Sequence, residues 1–204
     1  MIISSYNRNG VGDTLMIMTG NSVFSEQNSE TKGNVTRIFK EETKETVGYN
    51  FFTISELIKI EGKGSITLSA DQVARLNEHL LSVGFDEQLE ADEEPKFVVG
   101  DVKECKPHPN SDHLSITQIE IDDQQVVQIV CGASNIAAGQ KVVVAKVGAM
   151  MPNGLVIWDG ELRGEPSHGM VCSAKELGIE AETTKKGILV LDANAVTGSA
   201  FKTK

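Results

Sequence analysis

Residues Phe97 to Cys131 read FVVGDVKECKPHPNSDHLSITQIEIDDQQVVQIVC. Three β-branched or apolar runs, Phe97 to Glu104, Leu114 to Ile121 and Val126 to Val130, are separated here by two turn-rich segments. The first of these is Pro107-His-Pro-Asn110 and the second is Asp122-Asp123. Proline presets one backbone angle, and Asn and Asp bond their own backbone, so each segment reverses the chain between strands. The pattern continues downstream. Lys141 to Val147, Leu155 to Trp158 and Gly187 to Leu191 read as strands, punctuated by Ala138-Gly139, Pro152-Asn-Gly154 and Asp159-Gly160. Five or six short strands with one short helix, Ser173 to Leu177 ended by Gly178, predict a small closed barrel rather than a sandwich.

Upstream, Asp86 to Glu94 reads DEQLEADEE, six acids in nine residues, followed by Pro95. Such a run repels itself and stays solvated, as a linker does. The expected division is an N-terminal domain over residues 1–90, a linker over 91–95 and the barrel over 96–204. The first half reads as α+β. Asp13 to Thr19, Gly33 to Phe39 and Glu45 to Ile54 favour strand, with Glu41 to Lys44 at a hairpin tip. Ser69 and Gln72 form a capping box. Val73, Leu76, Leu80 and Val83 then recur at helical spacing until Gly84. Gly10, Gly12, Gly62 and Gly64 lack the strand–loop–helix context of a phosphate loop and read as turns. The fold class is therefore mainly β with an α+β first domain.

The chain has 204 residues and a net charge of −10. Residues 1–94 carry 8 Lys and Arg against 16 Asp and Glu, and residues 95–204 carry 11 against 13. Only the second half could present a basic face to a nucleic acid. The longest apolar run, Val142 to Met151, is broken by Lys146 and is too short to span a bilayer. The first residues do not read as a secretory signal. Cys105, Cys131 and Cys172 are odd in number and widely spaced. A reduced, cytoplasmic protein with no membrane span is expected.

Four ordered segments carry a family resemblance. Val99 to Val102 leads into Lys106-Pro-His-Pro-Asn-Ser-Asp-His-Leu114. Gln128-Ile-Val-Cys-Gly-Ala-Ser-Asn135 follows, with Gly139 to Ala145, and last comes Leu162-Arg-Gly-Glu-Pro-Ser-His-Gly-Met-Val-Cys-Ser-Ala-Lys-Glu-Leu-Gly178. This half resembles the tRNA-binding domain of phenylalanyl-tRNA synthetase β chains and the C-terminal domain of some methionyl-tRNA synthetases. The whole chain resembles the YtpR-type bacterial tRNA-binding proteins. The resemblance implies an OB-fold barrel and translation-associated tRNA binding without catalysis or a cofactor. It also allows a homodimer and an aminoacyl-tRNA synthetase as partner. His113 stands where the family often has a basic residue, which brings in a group that can titrate near neutral pH. Ser134 stands where proline is common.

The candidate RNA-binding residues lie in the barrel's loops. Lys106, His108, Asn110 and His113 belong to the first, Ser134 and Asn135 to the second. Lys141 follows at the start of a strand. Arg163, Ser167, His168 and Ser173 lie in the third loop, with Lys175 on the short helix, whose N-terminus could meet a phosphate. Each has a plainer role beside it. Asn110 and Asp112 could order their turn, Asn135 its loop, and Arg163 could pair with Glu176. Lys106 and Lys141 could simply be solvated. Aromatic side chains in this half are confined to Phe97, Trp158 and Phe201. Recognition of a folded RNA by shape and backbone is therefore expected over base stacking.

Two chemical alternatives attach to the cysteines. Cys105, His108 and His113, completed by Cys131 or Cys172, could form a zinc site, although the paired close spacings of such sites are missing. Cys172, with His168 near it in sequence, could act as a nucleophile. A third alternative, a protein-interaction or dimerisation module without RNA binding, is favoured by the acidic balance.

Overall fold

The computed structural model describes residues 1–122, 124–179 and 186–202, so Asp123 of the expected turn lies outside the described residues. The chain forms two compact units, Met1–Glu94 and Pro95–Lys204.

The first unit contains β1 (Ile3–Tyr6), α1 (Arg8–Val11), β2 (Thr14–Met18), β3 (Gln27–Lys32), β4 (Val35–Lys40), β5 (Thr46–Phe52), β6 (Gly64–Ile66) and α2 (Ala70–Val83). The strands form an antiparallel sheet in the order β3-β4-β5-β2-β1-β6. Helix α2 begins at the expected capping box, in which Ser69 Oγ accepts from the Gln72 N–H and Gln72 Oε1 accepts from the Ser69 N–H. It ends at Gly84 in the left-handed conformation. Val73, Leu76 and Leu80 close over Leu15, Ile17, Tyr49 and Phe51 from the sheet. Strand β3 reads QNSETK. It has no apolar alternation for the sequence to reveal, and its ladder with β4 alone defines it.

The second unit contains β7 (Phe97–Pro107), β8 (Ser115–Asp122), β9 (Gln125–Cys131), β10 (Lys141–Ala145), β11 (Gly160–Leu162), β12 (Glu165–Ser167) and β13 (Met170–Val171). Five of them make one antiparallel sheet, β13-β10-β7-β8-β9, and β11 and β12 make a hairpin. Register shifts near Lys103 and near Ile121 mark bulges, which increase the twist that curls a sheet. The His168 N–H donates to Gln128 O at 2.9 Å and the Val130 N–H to Ser167 Oγ at 3.1 Å, drawing the β12–β13 end of the sheet to β9. The result is a curled, barrel-like sheet of OB type, as the strand pattern predicts.

Its inner face is aliphatic: Val98, Val102, Ile119, Ile121, Ile129, Val142 and Val144, with Cys131, Val171 and Ile188. Gly100 faces the same interior. A Cβ there would lie 2.6 Å from Ile119 and 2.7 Å from Val144, so only glycine fits. Val143 and Ala145, on the outer face of β10, enter a second cluster with Ala149, Met151, Ile157, Cys172 and Leu177. Burial on both faces explains the unbroken apolar run of β10.

Three expected elements come out differently. Leu155 to Trp158 forms a single bridge, Met150 to Val156, inside a tight loop closed by the Met151 N–H to Leu155 O. Gly187 to Leu191 lies along β10 with one bridge, Val142 to Val190. The Ser173 to Leu177 helix is a single turn, because Gly178 stops it at a positive φ of 68°.

Candidate nucleic-acid interface

Four of the barrel's connections meet in a chain of contacts. The β7–β8 loop is closed by the His108 N–H donating to Leu114 O at 3.0 Å. Register places Ser115 opposite both Pro107 and Cys131, so the loop after β9 leaves beside the first. Gly132 packs on Leu114. The Asn135 carboxamide then clasps Ile188, donating to its carbonyl at 3.0 Å and accepting from its N–H at 2.9 Å. The Leu189 N–H donates to Cys172 O, which brings Ser173 and Lys175 to the same place. On the other side, Arg163 at the tip of the β11–β12 hairpin donates through Nη1 to Asn110 O at 3.2 Å.

Within this frame the candidate residues divide into those that build the loops and those that face outward. His108 is only 3% exposed. Its Nδ1 accepts from the Asn110 N–H at 3.0 Å, so Nε2 carries the hydrogen and donates to Leu162 O at 3.1 Å. A neutral imidazole with both nitrogens engaged locks the first loop to the hairpin and has no donor left for RNA. Ser167 is likewise buried, accepting from Val130 and donating to Gly169 O. Asn135 is committed to Ile188, as its loop-ordering role required. The first turn is ordered by Ser111, whose Oγ accepts from the N–H groups of His113 and Leu114, rather than by Asp112 or the Asn110 side chain.

Asn110, His113, Ser134, Arg163 and Lys175 are exposed. His113 Nδ1 contacts Asp112 at 3.0 Å, and this hydrogen bond holds the Asp112 carboxyl below its ordinary range. Exposed His168 pairs with Asp159 at 2.8 Å. The alternative pair of Arg163 with Glu176 does not form among the described residues. Glu176 Oε2 instead accepts from the N–H and Oγ of Ser173, each at 2.7 Å. That carboxylate occupies the start of the short turn, where an incoming phosphate was expected.

The lysines differ in how committed their charge is. Lys106 pairs with Glu104. Lys141, with a side chain 17% exposed, reaches Asp101 at 3.1 Å and Thr197 at 2.6 Å. Lys103 bridges Asp101 and Glu120. Arg163 and Lys175 have no carboxylate partner among the described residues. Phe97 and Phe201 pack against the second apolar cluster and Trp158 is half-buried, so no exposed aromatic platform accompanies these cations.

The cysteine-based alternatives find little support in the geometry. Cys105 points to Ile136 O, and His108 has both ring nitrogens bonded. Among the described residues no three His, Cys, Asp or Glu side chains are grouped to hold a metal ion. Cys172 is fully buried, and burial pushes its thiol up to about 12, away from the thiolate that nucleophilic chemistry needs. One feature with no counterpart in the sequence reading is the approach of Gly187 to Asn135. A Cβ at 187 would lie 2.2 Å from Asn135 Oδ1. The only trace of it in the sequence is the Lys-Gly step before an apolar run.

A curled OB-type sheet with polar connections gathered beside one another is the class of scaffold on which oligonucleotide-binding barrels are built. Residues 97–200 match the family described as "Putative tRNA binding domain", and residues 22–92 match a "Domain of unknown function (DUF4479)". The chain is 49% identical over 197 residues to the "Putative tRNA-binding protein YtpR" of Bacillus subtilis, covering 97% of this chain and 98% of that one. It is 52% identical over 106 residues to the phenylalanine–tRNA ligase beta subunit of Halalkalibacterium halodurans, and 50% over 105 residues to that of Listeria monocytogenes. Each of these two matches spans half of this chain but only 13% of the subunit. The chain belongs to the tRNA-binding-domain family, and along nearly its whole length to the family of the Bacillus subtilis protein.

Proposed function

We propose that this protein binds tRNA through the barrel, residues 96–204, by shape and backbone contacts and without catalysing a reaction. In this reading residues 1–90 are a separate acidic module, joined through 91–95. The observation that carries the proposal is the gathering of the loops around Asn110, Ser134, Arg163 and Lys175, with hydroxyl, amide and cationic donors turned outward. Phosphate and ribose contacts need such donors, and reading of a folded RNA needs them on rigid loops. His108 and Asn135 supply the rigidity. The buried Cys172 thiol argues against covalent catalysis. The free thiols of Cys105, Cys131 and Cys172 fit a reducing, cytoplasmic setting. No helix among the described residues is long and apolar enough to cross a membrane. A homodimer and an aminoacyl-tRNA synthetase as partner belong to the same reading, and light scattering and co-purification test them.

The decisive experiment titrates the whole protein against a folded tRNA and an unstructured RNA of equal length, at low and moderate salt. The expected result is tighter binding to the folded RNA, weakening with salt at a log–log slope of about −3, as for roughly four phosphate contacts. Failure to bind either RNA at low salt would overturn the proposal. It would leave the interaction-module reading, which the net charge of −10 favours.

A further inference from the structure

We propose that the main phosphate-contacting surface is the ledge that carries Ser134, Lys175 and Lys186, and that Lys186 is a contact residue in its own right. The inference rests on the tRNA-binding reading and says where on the barrel the RNA backbone lies. Two independent observations carry it.

The first is the state of the charges. A phosphate approaching Lys106 must compete with Glu104, and one approaching Lys141 with Asp101. Lys175 and Lys186 are exposed and have no carboxylate partner among the described residues. Among the described residues, neither charge is held in an ion pair. Glu176, the acidic neighbour of Lys175, is turned back onto Ser173.

The second is how Lys186 is held. The next residue, Gly187, has a φ of 116° and passes so close to Asn135 that no side chain fits there. Ile188 is bonded through both backbone groups to the Asn135 carboxamide, and Leu189 to Cys172 O. Three successive residues are thus tied to the Ser134–Asn135 loop and to the segment that begins the Ser173 turn. Lys186 leaves the chain at the start of this clasp, one residue before Gly187 meets Asn135. Among the described residues the ledge carries two ammonium groups without carboxylate partners, an exposed serine and no aromatic ring. That chemistry suits the phosphodiester backbone of a folded RNA rather than its bases.

The test uses the full chain, with tRNA titrations across a salt series. Lys175→Ala with Lys186→Ala is expected to weaken binding about tenfold at low salt and to reduce the salt slope by about 1 for each lysine. Lys175→Arg with Lys186→Arg keeps the charge and is expected to restore both. Lys103→Ala, a lysine outside the candidate site and engaged by Asp101 and Glu120, is expected to bind within about threefold of the parent. Parent-like binding by the Lys175/Lys186 alanine variant would overturn the ledge while leaving tRNA binding intact. If the parent protein binds no tRNA, the underlying reading falls, and the ledge with it.

Discussion

The two units bury one face of an antiparallel sheet in different ways. In Met1–Glu94 the sheet stays open and a helix covers it. Val73, Leu76 and Leu80 of α2 meet a core that contains Tyr6, Tyr49, Phe51 and Phe85. Large rings fill the gap between helix and sheet, and their polar tips need partners. Tyr49 donates to Glu87 at 3.0 Å, and Arg37 holds that carboxylate at 2.9 Å. In Pro95–Lys204 the sheet curls and covers itself. Its inner cluster is built from aliphatic side chains and Cys131, and at position 100 the interior has no room even for a methyl group. The difference teaches where function can sit. A self-covering sheet needs no helix on its face, and its strand connections remain free to gather donors for a ligand.

The largest expected effect that sharpens this contrast is Phe51→Ala. The ring is fully buried, and its loss should cost about 3–5 kcal/mol. Chemical denaturation should show a weakened transition for the first unit, with tRNA affinity unchanged. A parallel loss of tRNA affinity would break the comparison by making binding depend on the helix-covered unit. Next is Gly100→Ala, which forces a methyl into the curled interior at an expected cost of about 1–3 kcal/mol. Here the second transition should weaken. An unchanged transition would mean the curl relaxes more easily than the packing implies.

The smallest effect is electrostatic. The hydrogen bond from Lys103 holds the Asp101 carboxyl below its ordinary range against an opposing effect of burial, and Lys141 adds to the lowering. A carboxylate with a lowered folded-state pKa adds stability that is fully present above its unfolded value, about 4. That stability is lost as pH falls through the folded value. Asp101→Asn should therefore flatten the acid side of the barrel's Tm-against-pH curve, and, because the hydrogen bond with Asp101 also holds the Lys103 ammonium above its ordinary range, it should flatten the alkaline side too. An acid limb as steep as the parent's would remove Asp101 from that role.

Much of the local structure was legible because it depends on near neighbours. The capping box at Ser69 and Gln72, the apolar spacing to Val83 and the stop at Gly84 define α2 within a few turns of chain. The same holds for β7, β8 and β9, whose turn residues lie between them in the sequence. Strands such as β3 and β11 were not legible. Their residues carry no apolar alternation, and only the neighbouring strand makes them strands.

The candidate site divides along the same line. Sequence by itself determined that the loops around 106–114, 132–135 and 162–175 hold the candidate donors, since turn chemistry and the family motifs are local. Which of those donors still face outward was decided by tertiary structure alone. His108 is consumed by Leu162 and Asn110, Asn135 by Ile188, and Lys141 by Asp101. Except for Asn110, these partners lie 40 to 54 residues away along the chain. A polar side chain meets such a partner only after the sheet has curled, and no local pattern of residue types records which one it will be.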